Sequence, residues 1–518
     1  MPSAELIRVT TPEKLQEKCG IVGIFIPKNS ILHQFDLGTV ASRALWHRGQ
    51  HGLGFVINTD LGPEKYIRTG TIDQALPAEL RRDYSVRRRK SNWALFHTRY
   101  GTSGNYDEEN LQPILVTTPD GINFSLVHNG EFAINKGMKN SIPEDEIPKG
   151  ASDTVVVSRL LKYASGNTAE EKIIDTLNKA KGAYSLLIGT DDALFAARDQ
   201  FGIRPMVIGK YQDGWIITSE THALDKLGID TIREIKRGEI IKINENGITT
   251  LREGSEGKGN FCDLEWAYFS RPDSLNPTHD RPDDSNHPER WLSNFRFREK
   301  CGLTLAKESP IPNATMVVGV SDSGVPVGTG YAVGMNLPYR QIILRDHYDQ
   351  NGQIRTFMKD EHKNAISKMV LGKLSLIPDP RIWKDAVVAV VDDSLIRGST
   401  SKPILKAMFE AGAKEVHLLL GFSKVSFPCH LGVSLRTGKE LIANRHNGNE
   451  EAIAREINAT SVHYISPEGF IRARTEMNDL MMPRNPSEIF LVNGGCGGCI
   501  TGRYPIDKRG VIYQPRKV

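Results

Sequence analysis

The feature that most constrains the fold is a change in the spacing of apolar segments along the chain. From Cys19 to about Arg252, many short β-branched and apolar runs follow one another, which predicts a region dominated by strands. From about Thr315 onward, such runs alternate with helical patterns, which predicts βαβ units on a parallel sheet. The glycine-rich, charged segment REGSEGKGN (252–260) between them is predicted to be a linker. The chain is therefore predicted to hold two differently built domains.

The chain length, the apolar runs and the net charge limit which classes of protein the sequence can encode. A chain of 518 residues is too long for one ordinary core, and domain sizes of about 100 to 200 residues predict two or three units. No apolar run is long enough to span a membrane and the N-terminus lacks the apolar region of a signal peptide, so we expect a cytosolic protein. A net charge of +4 is compatible with phosphorylated ligands and too small to indicate nucleic acid.

The run VVAVVDDSLIRGSTS (387–401) predicts a ligand site at the end of a buried strand. Asp392 and Asp393 could accept hydrogen bonds from vicinal hydroxyls or hold Mg²⁺. A phosphate could be bound by backbone N–H groups at the start of the following helix, those of Arg397, Gly398, Ser399 and Thr400. The alternative is a capped turn with solvated acids. The stretch resembles the phosphoribosylpyrophosphate (PRPP) motif of type I phosphoribosyltransferases.

Five segments of the first half resemble, in order, the class II glutamine amidotransferase domain, which is an N-terminal-nucleophile αββα sandwich. They are CGIVG (19–23), HRGQHG (47–52), HTRYGTSG (97–104), HNGEF (128–132) and SDTVVV (152–157). Together with the PRPP motif, RDQFGIRPM (198–206), YFSRPDS (268–274) and SDSGVPVGTGYA (321–332), they make the chain similar to the glutamine PRPP amidotransferases. The resemblance runs from Cys19 to about residue 505. It implies glutamine-dependent formation of phosphoribosylamine, the first step of purine synthesis.

In the first domain the resemblance assigns a role to five residues. Cys19 corresponds to the nucleophile, with its own α-amine as general base, so residues 1–18 are predicted to be a removable propeptide. Arg99 corresponds to the residue that binds the glutamine carboxylate, and Asp153 to the one that binds its ammonium group. Asn129 and Gly130 correspond to the oxyanion hole. The alternatives are ordinary: a surface ion pair for Arg99, a hairpin turn at Asn129 and Gly130, and a helix N-cap for Asp153.

The rest of the resemblance concerns the second domain and the assembly. Asp392 and Asp393 correspond to Mg²⁺ and ribose ligands, and Ser323 to a further metal-associated hydroxyl. The implied architecture is a class II amidotransferase sandwich followed by a type I phosphoribosyltransferase doubly wound parallel sheet. The predicted bounds are 1–18 for the propeptide, 19–255 and 256–475 for the two domains, and 476–518 for a C-terminal segment. A homotetramer and purine nucleotide effectors are also implied.

Six cysteines in so long a chain do not indicate a disulfide framework. Cys262, Cys429, Cys496 and Cys499 form a C-x166-C-x66-C-x2-C pattern, which by itself is compatible with zinc, a redox pair or no function. Their contexts resemble the subset of the family that binds a [4Fe-4S] cluster through four thiolates, and zinc is the alternative. Cys301 is predicted to be a core residue on a helix.

Some segments depart from the family pattern. After RTF (355–357) the chain reads MKDEHKNAISKMVLGKLSLIP, with acids and lysines where the family has apolar residues, proline and arginines. The divergent stretch, 349–378, leaves open a paralogue that aminates PRPP or a related sugar phosphate in a specialised pathway. A catalytically silent regulatory protein that binds PRPP or a nucleotide is the second alternative. The basic run RRDYSVRRRK (81–90) is predicted to be a solvated loop.

Overall fold

The computed structural model describes residues 19–86, 92–99, 111–230, 232–255, 258–278, 291–320, 322–345, 374–475 and 480–513. These residues form two compact units. The first contains the described residues within 17–297, 427–436 and 471–518, and the second those within 298–426 and 437–470. Because units defined by contacts need not follow domain boundaries, the predicted bounds stay a prediction. The predicted propeptide and the segment 346–373 lie outside the described residues.

Most of the described strands lie in the first unit. In chain order the strands are β1 (Gly20–Phe25), β2 (Gly52–Thr59), β3 (Gly62–Thr69), β4 (Trp93–Arg99), β5 (Ile114–Thr117), β6 (Asn123–Phe132), β7 (Gly182–Gly189), β8 (Leu194–Arg198), β9 (Val207–Tyr211), β10 (Gly214–Thr218), β11 (Ile232–Glu234), β12 (Ile240–Asn244), β13 (Gly247–Arg252), β14 (Phe261–Cys262), β15 (Leu275–Pro277), β16 (Trp291–Ser293), β17 (Met316–Gly319), β18 (Ile343–Arg345), β19 (Leu374–Leu376), β20 (Val387–Asp392), β21 (Glu415–Leu420), β22 (Ser461–Tyr464) and β23 (Gly495–Cys496). The second unit holds β17 to β22.

The α-helices are α1 (Gln34–Ala44), α2 (Ile72–Ala75), α3 (Ala78–Val86), α4 (Lys136–Lys139), α5 (Asp153–Lys162), α6 (Ala169–Lys179), α7 (Thr221–Asp225), α8 (Asn294–Glu308), α9 (Gly324–Met335), α10 (Pro380–Trp383), α11 (Ser401–Glu410), α12 (Ile442–Arg445), α13 (Glu450–Ile457), α14 (Pro467–Thr475), α15 (Ile489–Val492) and α16 (Gly498–Thr501). Short 3₁₀ turns cover Trp46–Arg48, Glu144–Glu146, Gly438–Glu440 and Pro486–Glu488, and Glu265–Phe269 is a π-helical turn. None of the helices in the described ranges is both long and apolar enough to cross a membrane.

The first unit is a four-layer sandwich. One sheet has the order β11-β9-β10-β1-β4-β2-β3 and the other β13-β12-β8-β7-β6-β5. Side chains of both sheets, among them Leu95 and Leu187, form the core between them. Phe55 lies in the core on the outer face of the first sheet, and Leu160 of α5 in the core on the outer face of the second. Because helices cover both outer faces, the predicted αββα arrangement is confirmed.

The second unit contains a parallel sheet of order β17-β20-β21-β22. Its central strand β20 is a continuous apolar run up to Asp392 because both faces of the strand are covered, which is typical of parallel sheets in α/β proteins. Val388 and Val390 pack into one core with Ile404 of α11 and Ile453 of α13. The run predicted to be a buried strand is therefore confirmed, with Asp392 as its last residue.

Two local predictions have clear outcomes. Cys301 lies within α8 with 1% of its surface exposed, so its assignment to a helical core position is confirmed. The prediction of a loop for residues 81–90 is wrong for its first six residues, because helix α3 extends from Ala78 to Val86. Pro77 directly precedes this helix and Glu79 lies in its first turn, and both are signals of a helix start.

Candidate functional site

Cys19 lies directly before β1, which is bounded by β10 and β4 in the seven-stranded sheet. Its backbone has φ of 28°, in the left-handed region that side chains rarely adopt. The next residue is held firmly, since the Gly20 amide donates to Thr98 Oγ1 over 2.9 Å. A Cβ on Gly20 would lie 2.7 Å from the same hydroxyl, so this close approach requires glycine. The predicted nucleophile therefore stands at the beginning of a buried strand, at an edge of the sheet.

Arg99 ends β4 at the same edge, because Gly20 is paired with Thr98 in the antiparallel register of β1 and β4. The backbone of Arg99 is held by the segment of the HRGQHG motif, since the His51 amide donates to the Arg99 carbonyl over 3.0 Å. A Cβ on Gly49 would lie 2.5 Å from the backbone of Thr98. This segment thus packs directly on the strand that carries the predicted carboxylate-binding residue.

Asn129 and Gly130 lie inside β6, opposite Ser185 and Tyr184 of β7. The alternative of a hairpin turn is therefore wrong. Asn129 is fully buried, and neither polar atom of its side chain has a hydrogen-bond partner within the described part of the chain. Gly130 has φ of 144°, and a Cβ there would lie 2.0 Å from the Ala183 carbonyl oxygen. A buried amide that can still donate, next to a glycine of unusual backbone, is an arrangement suited to an oxyanion hole.

Asp153 is the first residue of α5. The alternative of an N-cap role is wrong, because Ser152 occupies the cap and its hydroxyl accepts from the Val155 amide over 3.3 Å. The Asp153 carboxylate accepts from the Phe132 amide over 2.9 Å and lies 3.8 Å from His128 Nδ1. This contact places the carboxylate beside the end of β6, the strand that carries Asn129 and Gly130.

His97 was not singled out by the sequence. It lies two residues before Arg99 on β4, is 1% exposed, and neither ring nitrogen has a hydrogen-bond partner among the described residues. Burial and the nearby charge of Arg99 lower the pKa of His97 to about 3, so the ring is neutral at physiological pH. Its position within HTRYGTSG was the only signal available beforehand.

In the second unit the structure brings together the three predicted metal-associated side chains. Asp392 ends β20 and Asp393 directly follows it, and both are buried. The Ser323 hydroxyl donates to Asp393 Oδ2, and Ser394 Oγ donates to Asp393 Oδ1 over 2.6 Å. The Asp393 amide donates to Asp392 Oδ1 over 2.9 Å. The result is a compact set of oxygen atoms, the donor type that Mg²⁺ prefers.

The loop that follows leads into α11 as predicted. Gly398 has φ of 81°, and a Cβ there would lie 2.9 Å from Ile442 Cδ1. Thr400 occupies the N-cap position of α11, but its side chain makes no capping hydrogen bond. The side chain of Arg397 is engaged elsewhere, because its Nε donates to Glu440 over 3.0 Å. Arg397 can therefore contribute a backbone amide here while its charge is neutralised by Glu440.

The four remaining cysteines all lie in the first unit. Cys262 and Cys496 are directly opposite each other in the parallel pair β14 and β23. The Phe427 amide donates to the Cys499 carbonyl over 2.9 Å, which attaches the segment of Cys429 to α16. Burial raises the pKa of Cys262 to about 12, and burial together with the neighbouring thiols raises those of Cys496 and Cys499 well above the usual range. All six cysteines of the chain are described, and none forms a disulfide.

A buried network of alternating charges, which the sequence did not reveal, lies in the same unit; we call it the charge ladder. It consists of Glu220, Arg48, Glu265 and Arg204, each at most 2% exposed. Arg48 donates to Glu220 over 2.6 Å and to Glu265 over 2.8 Å, and Arg204 donates to Glu265 over 3.0 Å. Burial alone would raise the pKa of Glu265, but the two guanidinium groups lower it below the usual range. The charges of the two carboxylates and the two guanidinium groups cancel, so the charge ladder is neutral.

Comparisons with known proteins identify the family to which the chain belongs. A family profile described as a glutamine amidotransferase domain matches residues 97–226. An amidophosphoribosyltransferase of Bacillus subtilis is 32% identical over 502 residues, which cover 96% of this chain and 96% of the relative. The chain belongs to the amidophosphoribosyltransferase family. The family predicted from the sequence is thereby confirmed.

Two solved structures extend the likeness to the fold. A glutamine PRPP amidotransferase from B. subtilis, complexed with ADP and GMP, has a TM-score of 0.77 and 30% identity and covers 96% of this chain and 99% of its own. The structure of the allosteric regulatory enzyme of purine biosynthesis also has a TM-score of 0.77, with 29% identity and 96% and 97% coverage. The fold class of this family member is thus a class II glutamine amidotransferase domain combined with a phosphoribosyltransferase domain.

Proposed function

We propose that this member of the family hydrolyses glutamine in its first unit and transfers the ammonia to C1 of PRPP, the first step of purine synthesis. The observation that supports the proposal is that Cys19 and Arg99 lie at one end of the paired strands β1 and β4, while Asp153 contacts the end of β6, the strand that carries Asn129 and Gly130. Family membership supports the reaction, and the positions of these residues support the roles proposed for them. The products are glutamate, pyrophosphate and phosphoribosylamine.

The glutamine half-reaction uses these five residues. Arg99 binds the α-carboxylate of glutamine and Asp153 its ammonium group, which orients the amide toward Cys19. The Cys19 sulfur attacks the amide carbon, and the oxyanion that forms is stabilised by the Gly130 amide and Asn129 Nδ2. Loss of ammonia leaves a thioester, which water hydrolyses to glutamate. In this proposal the α-amine of Cys19 accepts and returns the proton, which requires removal of residues 1–18.

The transfer half-reaction takes place at the end of β20. Ammonia attacks C1 of PRPP with inversion, the bond to pyrophosphate breaks, and the nitrogen loses a proton. Asp392 and Asp393 bind the ribose hydroxyls, and the backbone amides of 397–400 bind the 5′-phosphate. Asp392, Asp393 and Ser323 would hold Mg²⁺, which neutralises charge that develops on the leaving pyrophosphate.

We also propose that Cys262, Cys429, Cys496 and Cys499 bind a [4Fe-4S] cluster. The support is the donor chemistry: the thiols of Cys262 and Cys429 raise the pKa of both Cys496 and Cys499, so the four lie near one another, and the Leu431 amide donates to Cys429 Sγ over 3.3 Å. Amide hydrogen bonds of this kind are common around cluster sulfurs. No three His, Cys, Asp or Glu side chains in the described ranges form a group that could hold a single metal ion as placed. In a cubane each thiolate binds a different iron, so the four need not converge on one point. Zinc is the alternative metal for these four cysteines.

The proposal extends to partners. We expect purine nucleotides as effectors, because the B. subtilis relative was solved with ADP and GMP. We also expect a homotetramer, which the family resemblance implies, and a cytosolic location. Sedimentation of the purified protein, with and without nucleotide, measures the assembly directly.

The decisive experiment combines mass and activity. The intact mass of anaerobically purified protein gives the N-terminal residue, and native mass with iron and sulfide analysis gives the metal content. Product formation from PRPP is then measured with glutamine and with ammonia, for the wild type, Cys19→Ala and Cys301→Ala. We expect Cys19 at the N-terminus, and a Cys19→Ala protein that uses only ammonia, whereas Cys301→Ala uses both.

Other outcomes would contradict separate parts of the proposal. A fully active chain that retains residues 1–18 would rule out the α-amine as the base. Higher rates with another sugar phosphate than with PRPP would support the paralogue. No product with either nitrogen source would support a silent regulatory protein.

A further inference from the structure

Arg204 lies between two of the four-cysteine segments. The amide of Cys262 donates to the carbonyl of Ile203 over 3.1 Å, so Arg204 directly follows a residue bonded to the Cys262 backbone. Arg204 Nη2 donates to the carbonyl of Leu431 over 3.0 Å, and the amide of the same Leu431 donates to Cys429 Sγ over 3.3 Å. The Arg204 guanidinium thus holds the carbonyl of Leu431, whose amide contacts Cys429 Sγ. The Arg204 backbone directly follows the residue that is bonded to Cys262 of β14.

The surroundings of Arg204 are shaped to bring its guanidinium close to the backbone after Cys429. Gly432 has φ of 116°, and a Cβ there would lie 2.5 Å from Arg204 Nη2 and 2.9 Å from Nε. Only glycine permits this approach. Arg204 is 1% exposed, and its Nε has no hydrogen-bond partner in the part of the chain that the structure describes. A buried donor of a charged group without a partner is costly, and it points to a negative acceptor that arrives with a ligand.

Electrostatics point the same way. Glu265 holds Arg204 from the other side, and Arg48 holds Glu265, so the guanidinium cannot swing away without breaking the charge ladder. A group bound by four thiolates carries net negative charge, and Arg204 is the member of the ladder that lies beside the segments of Cys262 and Cys429.

We propose that Arg204 is a positioning residue of the four-cysteine site: it holds the Cys429 turn and supplies a positive charge beside the segments of Cys262 and Cys429. The inference rests on the proposed loading of this site by a [4Fe-4S] cluster. Arg204 stabilises the loaded state and, because a nearby cation favours the more negative reduced form, raises the reduction potential of the cluster.

The test compares Arg204→Met, Arg204→Lys and the control Arg298→Met, which removes an equally buried arginine of the second unit. Each protein is purified anaerobically and analysed for iron and sulfide. The rate of iron loss to a chelator and the reduction potential, followed by electron paramagnetic resonance, are then measured. For Arg204→Met we expect iron loss about 10- to 100-fold faster and a lower potential. For Arg204→Lys we expect faster iron loss with a nearly unchanged reduction potential. The positive charge remains, but the planar guanidinium with its several fixed hydrogen-bond donors is lost.

The outcomes separate this inference from the proposed function. A wild type without iron and sulfide would overturn the cluster, and this inference with it. A loaded wild type whose Arg204→Met variant keeps both the wild-type potential and the wild-type rate of iron loss would overturn only the role of Arg204. If Arg204→Met does not fold, Arg204→Gln replaces it, because its side chain is polar but uncharged: a wild-type reduction potential in Arg204→Gln would overturn the proposal. A merely structural role would change the rate of iron loss in both variants and leave both potentials unchanged.

Discussion

In the first unit the candidate glutamine site retains buried polar atoms without partners, whereas in the second unit the acids of the candidate PRPP site are bonded within the chain. Asn129 and His97 illustrate the first case. Asp393, which accepts from Ser323 and Ser394, illustrates the second. Because an unsatisfied buried group is costly, the glutamine site is built to gain hydrogen bonds when its ligand binds, whereas the acids must exchange existing ones. We therefore expect substitutions in the candidate glutamine site and in the candidate PRPP site to change activity in different ways.

The largest effect is expected at the acids. Asp393→Asn keeps the shape of the side chain and removes the charge that would hold Mg²⁺, a contribution of several kcal/mol to the transition state. We expect product formation to fall by about a thousandfold with either glutamine or ammonia. Steady-state assays at saturating Mg²⁺ measure the change. Loss of the glutamine-dependent rate alone would show that Asp393 serves the other half-reaction.

The next effect concerns the oxyanion hole. Gly130→Ala places a methyl group 2.0 Å from the Ala183 carbonyl, so the backbone must shift and the Gly130 amide with it. We expect a loss of about 100- to 1,000-fold in glutamine hydrolysis, while ammonia-dependent product formation is retained. Gly121→Ala is a matched control, because Gly121 also has positive φ, 88°, but nothing lies within 4 Å of its Cβ position. Equal losses in the two variants would indicate general backbone strain.

A smaller effect separates the two hydroxyls that bond Asp393. Ser323→Ala removes a proposed metal-associated group, so we expect the Mg²⁺ concentration for half-maximal rate to rise about two- to tenfold. Ser394→Ala removes a hydrogen bond to the same carboxylate and no proposed metal contact, so it should change this concentration little. Tighter Mg²⁺ binding in Ser323→Ala would mean that the hydroxyl competes with the metal.

The smallest effect is on stability. The unfolded chain protonates His97 near the ordinary pKa of 6.5, but the folded chain only near 3, so the unfolded state binds more protons between these values. The free energy of unfolding therefore falls as pH decreases from about 6.5 toward 3, by up to about 1.4 kcal/mol per pH unit from this group. His97→Gln should flatten the slope in urea unfolding measured across this range. An unchanged slope would show that the buried ring is protonated in the folded protein.

What could be read from the sequence was local. The run before Asp392 is apolar because both faces of its strand are covered, and this pattern predicts a parallel strand and its polar end. The position of Ser152 before α5 is likewise a local signal of a helix start. The charge ladder could not be predicted, because Arg48 and Glu265 are 217 residues apart and only the fold brings them together. Helix α3 was missed because its many charges outweighed the start signal at Pro77.

The charge ladder also has a consequence for how sequences of this kind can diverge. Replacing one member leaves an uncompensated buried charge, which costs about 3–5 kcal/mol, whereas replacing an acid and its arginine together by apolar residues can be neutral. Substitutions at Arg48, Glu220, Glu265 and Arg204 should therefore show strong epistasis despite their distance in sequence. In lineages where these positions vary, we expect them to change in pairs, never singly.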